Sequence, residues 1–242
     1  MKKTTLQNFK EIISTSINAI KNNKKLLAEK LLIPILLIVT LELILFFMQP
    51  FSIYTYLTIS IARFIVYAMF AIISFRVILS HFEKSEIKIF TWGKREWKFL
   101  LVFTLIFNSS FIINFLIKLS LTTMWGHFLS PLSYIIYLVL ILILCRICII
   151  LPAIAINKYL SFRESLHITK DYKLLMFLVF IIYPILIYAP LNIISIFLPF
   201  GLLYSLLSIP LIVLEVSIIS VIYIFILKEN NYDIDNSKIT KD

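Results

Sequence analysis

With 61% hydrophobic side chains over 242 residues and a mean hydropathy of +0.99, the chain is far more apolar than soluble domains, which carry about 45–50%. A soluble fold of this size cannot hide that much apolar surface, so the solvent is lipid, where only helices and closed barrels satisfy their backbone groups. The formal charge of +10 does not indicate nucleic acid, because 19 of the 23 Lys and Arg lie in segments between or flanking apolar runs, as in loops held on the cytoplasmic side of a membrane.

Residues 1–30 hold seven Lys and an apolar stripe at Leu6, Phe9, Ile13, Ile17 and Ile20. That spacing predicts an amphipathic helix on the membrane surface, with Thr4 and Gln7 placed to form a capping box. The basic part is too long for a signal peptide, and no small-residue cleavage site follows it. The first span is expected at Leu31–Met48, with Pro34 in its opening turn, and an uncharged loop at Gln49–Ser52 follows. The second covers Ile53–Leu79 and carries Arg76 in its last turn. A basic segment, His81–Lys98, contains Trp92 and Trp97, residues suited to an interface. Span three is Phe99–Ile117, then a loop at Lys118–Leu129, and span four runs from Pro131 to Ile156. The basic stretch Asn157–Lys173 holds Ser161-Phe162-Arg163-Glu164, which fits another capping box. Span five, Leu174–Leu198, bends if Pro184 and Pro190 lie inside it. Span six is Leu202–Leu227, and residues 228–242 form a polar tail expected to be disordered.

These runs are uniformly apolar and close to or above the roughly 20 residues that cross a bilayer, whereas barrel strands alternate over about 10 residues. The class is therefore all-α: a polytopic membrane protein with six transmembrane helices over 31–227 and amphipathic cytoplasmic interfacial helices. An even number of crossings puts both termini on one side, and the basic segments fall on that side too. Three entrances into spans look alike: Lys21-x-x-x-Lys25-Leu26-Leu27, Lys94-x-x-x-Lys98-Phe99-Leu100 and Lys170-x-x-Lys173-Leu174-Leu175. A threefold repeat of surface helix plus hairpin explains them. So does the Lys that any positive-inside loop supplies.

Charges inside spans are costly and are the first candidates for function. Four qualify: Glu42, Arg63, Arg146 and Glu215. Their depths allow Glu42 to pair with Arg63 and Arg146 with Glu215, although crossed pairings are open. Such pairs either fix which helices touch or line a polar path for an ion or headgroup. Cys145-Arg146-Ile147-Cys148 puts two thiols on one helix face, but in the inner half of a span, where buried free thiols are expected rather than redox chemistry. His81, His127 and His167 are scattered without ligand spacing, so no metal site is expected. The only glycines are Gly93, Gly126 and Gly201, which excludes phosphate-cradling loops and a nucleophile elbow. Asn108, Ser109, Ser110 and Asn114 give span three a polar side, expected to bond neighbouring helices.

The segment around Arg146, Pro152 and Glu164-Ser165-Leu166 through Thr169-Lys170 resembles a family of bacterial six-helix membrane proteins. That family includes the membrane domain of glycerophosphodiester phosphodiesterases. In it an Arg-bearing helix reaches a Pro, and an amphipathic helix ending in Thr-Lys precedes the next span. This sequence has Ser165 where Ala is usual and lacks the small residues found near the Pro. No phosphodiesterase catalytic domain is present, so the resemblance implies architecture and not that activity.

The leading expectation is a non-enzymatic integral protein of a bacterial inner membrane, organising lipid or a partner protein at the cytoplasmic face. The alternative is a permease-like transport component with Arg146 and Glu215 near a midplane site. An intramembrane lipid enzyme ranks last, since no nucleophile-base pair can be assembled. Membrane lipids and a cytoplasmic-face protein are the expected partners, with no nucleic acid and no cofactor.

Overall fold

A computed structural model describes residues 4–47, 52–83, 92–106, 138–197 and 201–230, and among them there is no strand. Helix α1 (Thr5–Phe47) is 43 residues long, about 64 Å at the helical rise per residue. Thr4 starts it: its amide donates to Gln7 Oε1 at 2.9 Å, and its hydroxyl accepts from the Gln7 amide at 3.4 Å. One stripe of α1 is buried along its length, through Ile12, Ser16, Ala19, Leu27, Leu31, Pro34, Ile38 and Glu42. The opposite face changes character midway. It exposes Lys10, Lys21, Lys24, Lys25 and Glu29 before residue 31, then Leu32, Ile33, Leu36, Leu37, Phe46 and Phe47 beyond it.

The sequence divides this region into a surface helix and a separate span. The structure makes them one rod, with no break at residue 30 and with Pro34 inside it. The stripe read from the sequence is not the buried one: Leu6 and Ile17 are 58% and 38% exposed, Phe9, Ile13 and Ile20 are half-buried, and the fully buried face lies one residue aside. Ile12 and Ala19 join a core shared with the last helix, and the Ser16 carbonyl accepts a 3.0 Å bond from Ser217 Oγ.

Helix α2 (Ile53–Glu83) packs along α1. Its first turns expose Tyr54, Tyr56, Leu57 and Ile61, whereas every residue from Phe70 to Leu79 is buried. Burial on all sides means that this half runs through the middle of the bundle. Arg76 sits there, two turns before the helix end rather than in the last turn. Helix α3 covers 94–106 and α4 covers 138–147. The chain breaks step at Cys148–Ile149 before α5 (Ile150–Ala155). Pro152 accounts for the break, because its ring crowds the carbonyl four residues back, at Cys148.

Asn157, at φ 65°, closes α5. Lys158 N bonds Ala153 O at 2.8 Å and Asn157 N bonds Ile154 O at 3.1 Å, a Schellman ending. Helix α6 (Phe162–Ile168) opens on a reciprocal cap between Ser161 and Glu164. A short 3₁₀ turn, Lys170–Tyr172, leads into α7 (Lys173–Phe177). A π-helical stretch, Leu178–Ile182, precedes α8 (Tyr183–Phe197). The wide turn falls where Pro184 would otherwise clash with the Phe180 carbonyl. Helix α9 (Gly201–Glu229) closes the described fold, and its residues from Val216 to Leu227 supply much of the larger core.

Among the described residues, five helical stretches are long and apolar enough to cross a membrane: Thr5–Phe47, Tyr54–Phe82, Leu138–Ala155, Lys170–Ile194 and Leu203–Glu229. The chain is thus built as a multi-pass, all-helical membrane protein. Of the expected third span only the part through residue 106 is described. The remainder, with Asn108, Ser109, Ser110, Asn114, Gly126 and His127, lies outside the described residues, as does the tail beyond Asn230.

Candidate functional site

Two arginines, Arg76 fully buried and Arg146 half-buried, anchor the bundle, and each plugs a helix end. The last carbonyls of a helix have no partner within it. Arg76 donates from Nε to Ala155 O, in the last turn of α5, at 3.1 Å. Its guanidinium also pairs with Glu96 of α3. Glu96 in turn caps its own helix, with Oε2 accepting the Gly93 amide at 2.7 Å, and Arg95 reaches Oε1 at 3.1 Å. The Arg76 and Glu96 side chains are only 1% and 3% exposed. Burial opposes the charge of Glu96, but the bonds from Arg76 and from the Glu96 and Gly93 amides outweigh it, holding the carboxyl at about 2. Three helices, α2, α3 and α5, are tied at this one point.

Arg146 does the corresponding work between α4 and α6. It donates to Leu166 O in the last turn of α6 and, at 3.0 Å, to Thr169 Oγ1. Ser165 Oγ returns a 2.6 Å bond to Arg146 O, while Thr169 Oγ1 donates to Ser165 O at 2.7 Å. Arg146 is therefore not the partner of Glu215. The expected pair fails because equal depth in a bilayer fixes only the level of a side chain, not the side of the helix from which it points.

Glu42 and Arg63 do meet. Arg63 Nε lies 3.2 Å from Glu42 Oε1, but that oxygen accepts no aligned hydrogen bond, so the attraction is coulombic. The Arg63 guanidinium also lies over the Tyr67 ring at 5.9 Å, an arrangement that favours a cation.

Glu215 is left with a hydroxyl for company: Tyr188 Oη donates to its Oε2 at 3.4 Å, and no basic side chain among the described residues pairs with it. Its carboxylate borders a cavity of about 280 Å³ between α3, α4, α5, the π-helical stretch and α9, with Ile106, Cys145, Cys148, Val179 and Ile218 among the walls. Cys145 and Cys148 are both buried free thiols. Among the described residues no group of three or more His, Cys, Asp or Glu could hold a metal ion.

Sequence reasoning singled out Glu42, Arg63, Arg146 and Glu215 but missed the most buried pair. The signal for Glu96 was its place three residues after Gly93, the spacing that Glu164 has from Ser161. Gly93 offers no hydroxyl, so the box is only half written in the residue types. No protein-family model, curated protein or solved structure matches the chain.

Proposed function

We propose that the chain is a non-enzymatic protein of a bacterial inner membrane, with six crossings and both ends cytoplasmic, that organises anionic lipid or a partner protein at its inner face. The observation that carries this reading is the two-faced α1. One unbroken helix keeps the same stripe buried while its outer face passes from Lys and Glu to Leu, Ile and Phe at residue 31. A rigid rod of that kind holds a cationic surface at a fixed height against a membrane leaflet. Three helix starts sealed by an N3 side chain, at Thr4/Gln7, Gly93/Glu96 and Ser161/Glu164, support the threefold repeat. The resemblance to the six-helix family supports the same architecture.

Replacing Lys10, Lys21, Lys24 and Lys25 together with Gln tests the reading. Each Lys near an anionic surface contributes about 1 kcal/mol. Detergent-purified protein should therefore capture anionic vesicles, lose that capture in the variant, and lose it in the wild type as salt rises. Equal capture by both proteins would rule out lipid organisation by this face; the partner reading predicts that the same variant releases a protein co-purifying with the wild type. Topology has its own test: reporters fused after Thr122 and after Asp242 should report opposite compartments.

A transport component is the second reading, and Glu215 favours it. An intramembrane acid with no basic partner among the described residues, on the wall of a cavity, is the kind of group that binds and releases a cation.

A further inference from the structure

We propose that the Glu215 cavity is a binding site for a small hydrophobic organic cation, a protonated amine carried on an aromatic or branched aliphatic body. The inference goes beyond the scaffold reading and does not depend on it. Its first support is charge. Glu215 lies midway along α9, a helix long and apolar enough to cross a membrane, and its only described partner is the Tyr188 hydroxyl. Arg146, the cation nearest in expectation, is committed to Leu166 O and Thr169. A carboxylate in such surroundings is stabilised by a ligand that brings a positive charge.

The second support is shape. The cavity measures about 280 Å³ and presents one acid among Ile, Leu, Val, Phe and Cys side chains, with Tyr183 and Pro184 completing the wall. An engineered apolar cavity of about 150 Å³ accepts benzene, so this one has room for a fused ring or a branched chain but not for a phospholipid. Mostly apolar walls with a few placed polar groups, here the Glu215 carboxylate and Tyr183, are the usual make-up of a small-ligand site. The third support is access. Phe180, Ile181 and Pro184 on its wall keep partial exposure, and the π-helical turn Leu178–Ile182 widens the backbone beside them. A membrane-dissolved amine can reach the acid laterally from the lipid.

Recognition then has two parts. The ammonium donates to the carboxylate, with Tyr188 Oη holding one oxygen in place, and the apolar body fills the space beside Cys145 and Cys148. A neutral ligand of the same shape loses the first part, and a hydrophilic cation loses the second.

The test uses full-length protein in lipid nanodiscs and the fluorescent probe naphthylmethylamine, with naphthylmethanol as its neutral isostere. The wild type should bind the amine saturably and the alcohol about tenfold more weakly or worse. Glu215→Gln keeps an acceptor for Tyr188 and should weaken amine binding by about tenfold or more while leaving the alcohol unchanged. Glu42→Gln, in the other acidic pair, should bind the amine as the wild type does. A measurement on the wild type alone guards against misfolding of the variants: carbodiimide labelling of Glu215, read by mass spectrometry, should slow as the non-nucleophilic N,N-dimethyl derivative of the amine is added, while labelling of Glu42 is unchanged. Non-saturable binding, equal binding of amine and alcohol, an unaffected Glu215→Gln protein, or labelling indifferent to the amine would each overturn the proposal.

Discussion

The Arg76 and Arg146 joints solve one problem with different chemistry. Both arginines cap the carboxyl end of a helix, and both reach forward about twenty residues along the chain, to Glu96 and to Leu166. Arg76, however, meets a full negative charge in a dry interior, whereas the Arg146 side chain meets a carbonyl and a hydroxyl and stays part-exposed. The first joint is charged and brittle. The second is polar and forgiving, because water can replace a neutral acceptor but not a buried counter-charge.

The sharpest break in that comparison is Arg76→Leu. It leaves Glu96 in the core with only the part-exposed Arg95 as counter-charge, and losing one partner of a buried pair costs about 3–5 kcal/mol. Little folded protein should be recovered on size-exclusion chromatography, and Arg76→Leu with Glu96→Leu should recover more than the single variant; if the double variant is worse, the pair is not the seat of the loss. Arg146→Leu should cost less, about 2 kcal/mol for hydrogen bonds to a charged donor, visible as a lowered unfolding midpoint with folded protein still recovered. Equal damage from the two substitutions would erase the distinction drawn here.

Acid should separate the joints as well. The Glu96 carboxyl sits at about 2, below its ordinary 4.5. Its contribution is therefore complete above pH 4.5 and fades as pH falls toward 2, at up to about 1.4 kcal/mol per unit. Wild-type protein should lose stability over that range more steeply than Glu96→Gln, and parallel acid profiles would show that Glu96 is not responsible. The smallest expected effect is Ser161→Ala, which removes the cap at α6 beside the Arg146 joint and costs about 1 kcal/mol. Thermal melting should show a modest shift for it, and a collapse comparable to Arg76→Leu would mean that the second joint is no more forgiving than the first.

The sequence made the class legible because run length and composition are properties of a single segment. The polarity change at residue 31 of α1 was equally plain, since Lys30 and Leu32 bear it directly. What stayed hidden were facts that belong to two segments at once. Pro34 reads as a helix start, and only packing along α2 and α9 shows the rod passing through it. Glu215 and Arg146 share a depth but point different ways. Arg76 looked like an ordinary positive charge at a span end until Ala155 and Glu96, distant in the chain, closed around it.

The bond from Ser217 to the Ser16 backbone spans 201 residues. The opening turns of α1 are therefore made long before α9, which shares a core with Ile12 and Ala19. Until α9 is made, the Ile12 and Ala19 face of α1 lacks part of the core it belongs to, and exposed apolar surface of that kind calls for shelter by chaperones or the nascent membrane. A chain cut short anywhere before α9 leaves that face without part of its cover, and such fragments should be cleared or aggregate rather than persist as partial bundles.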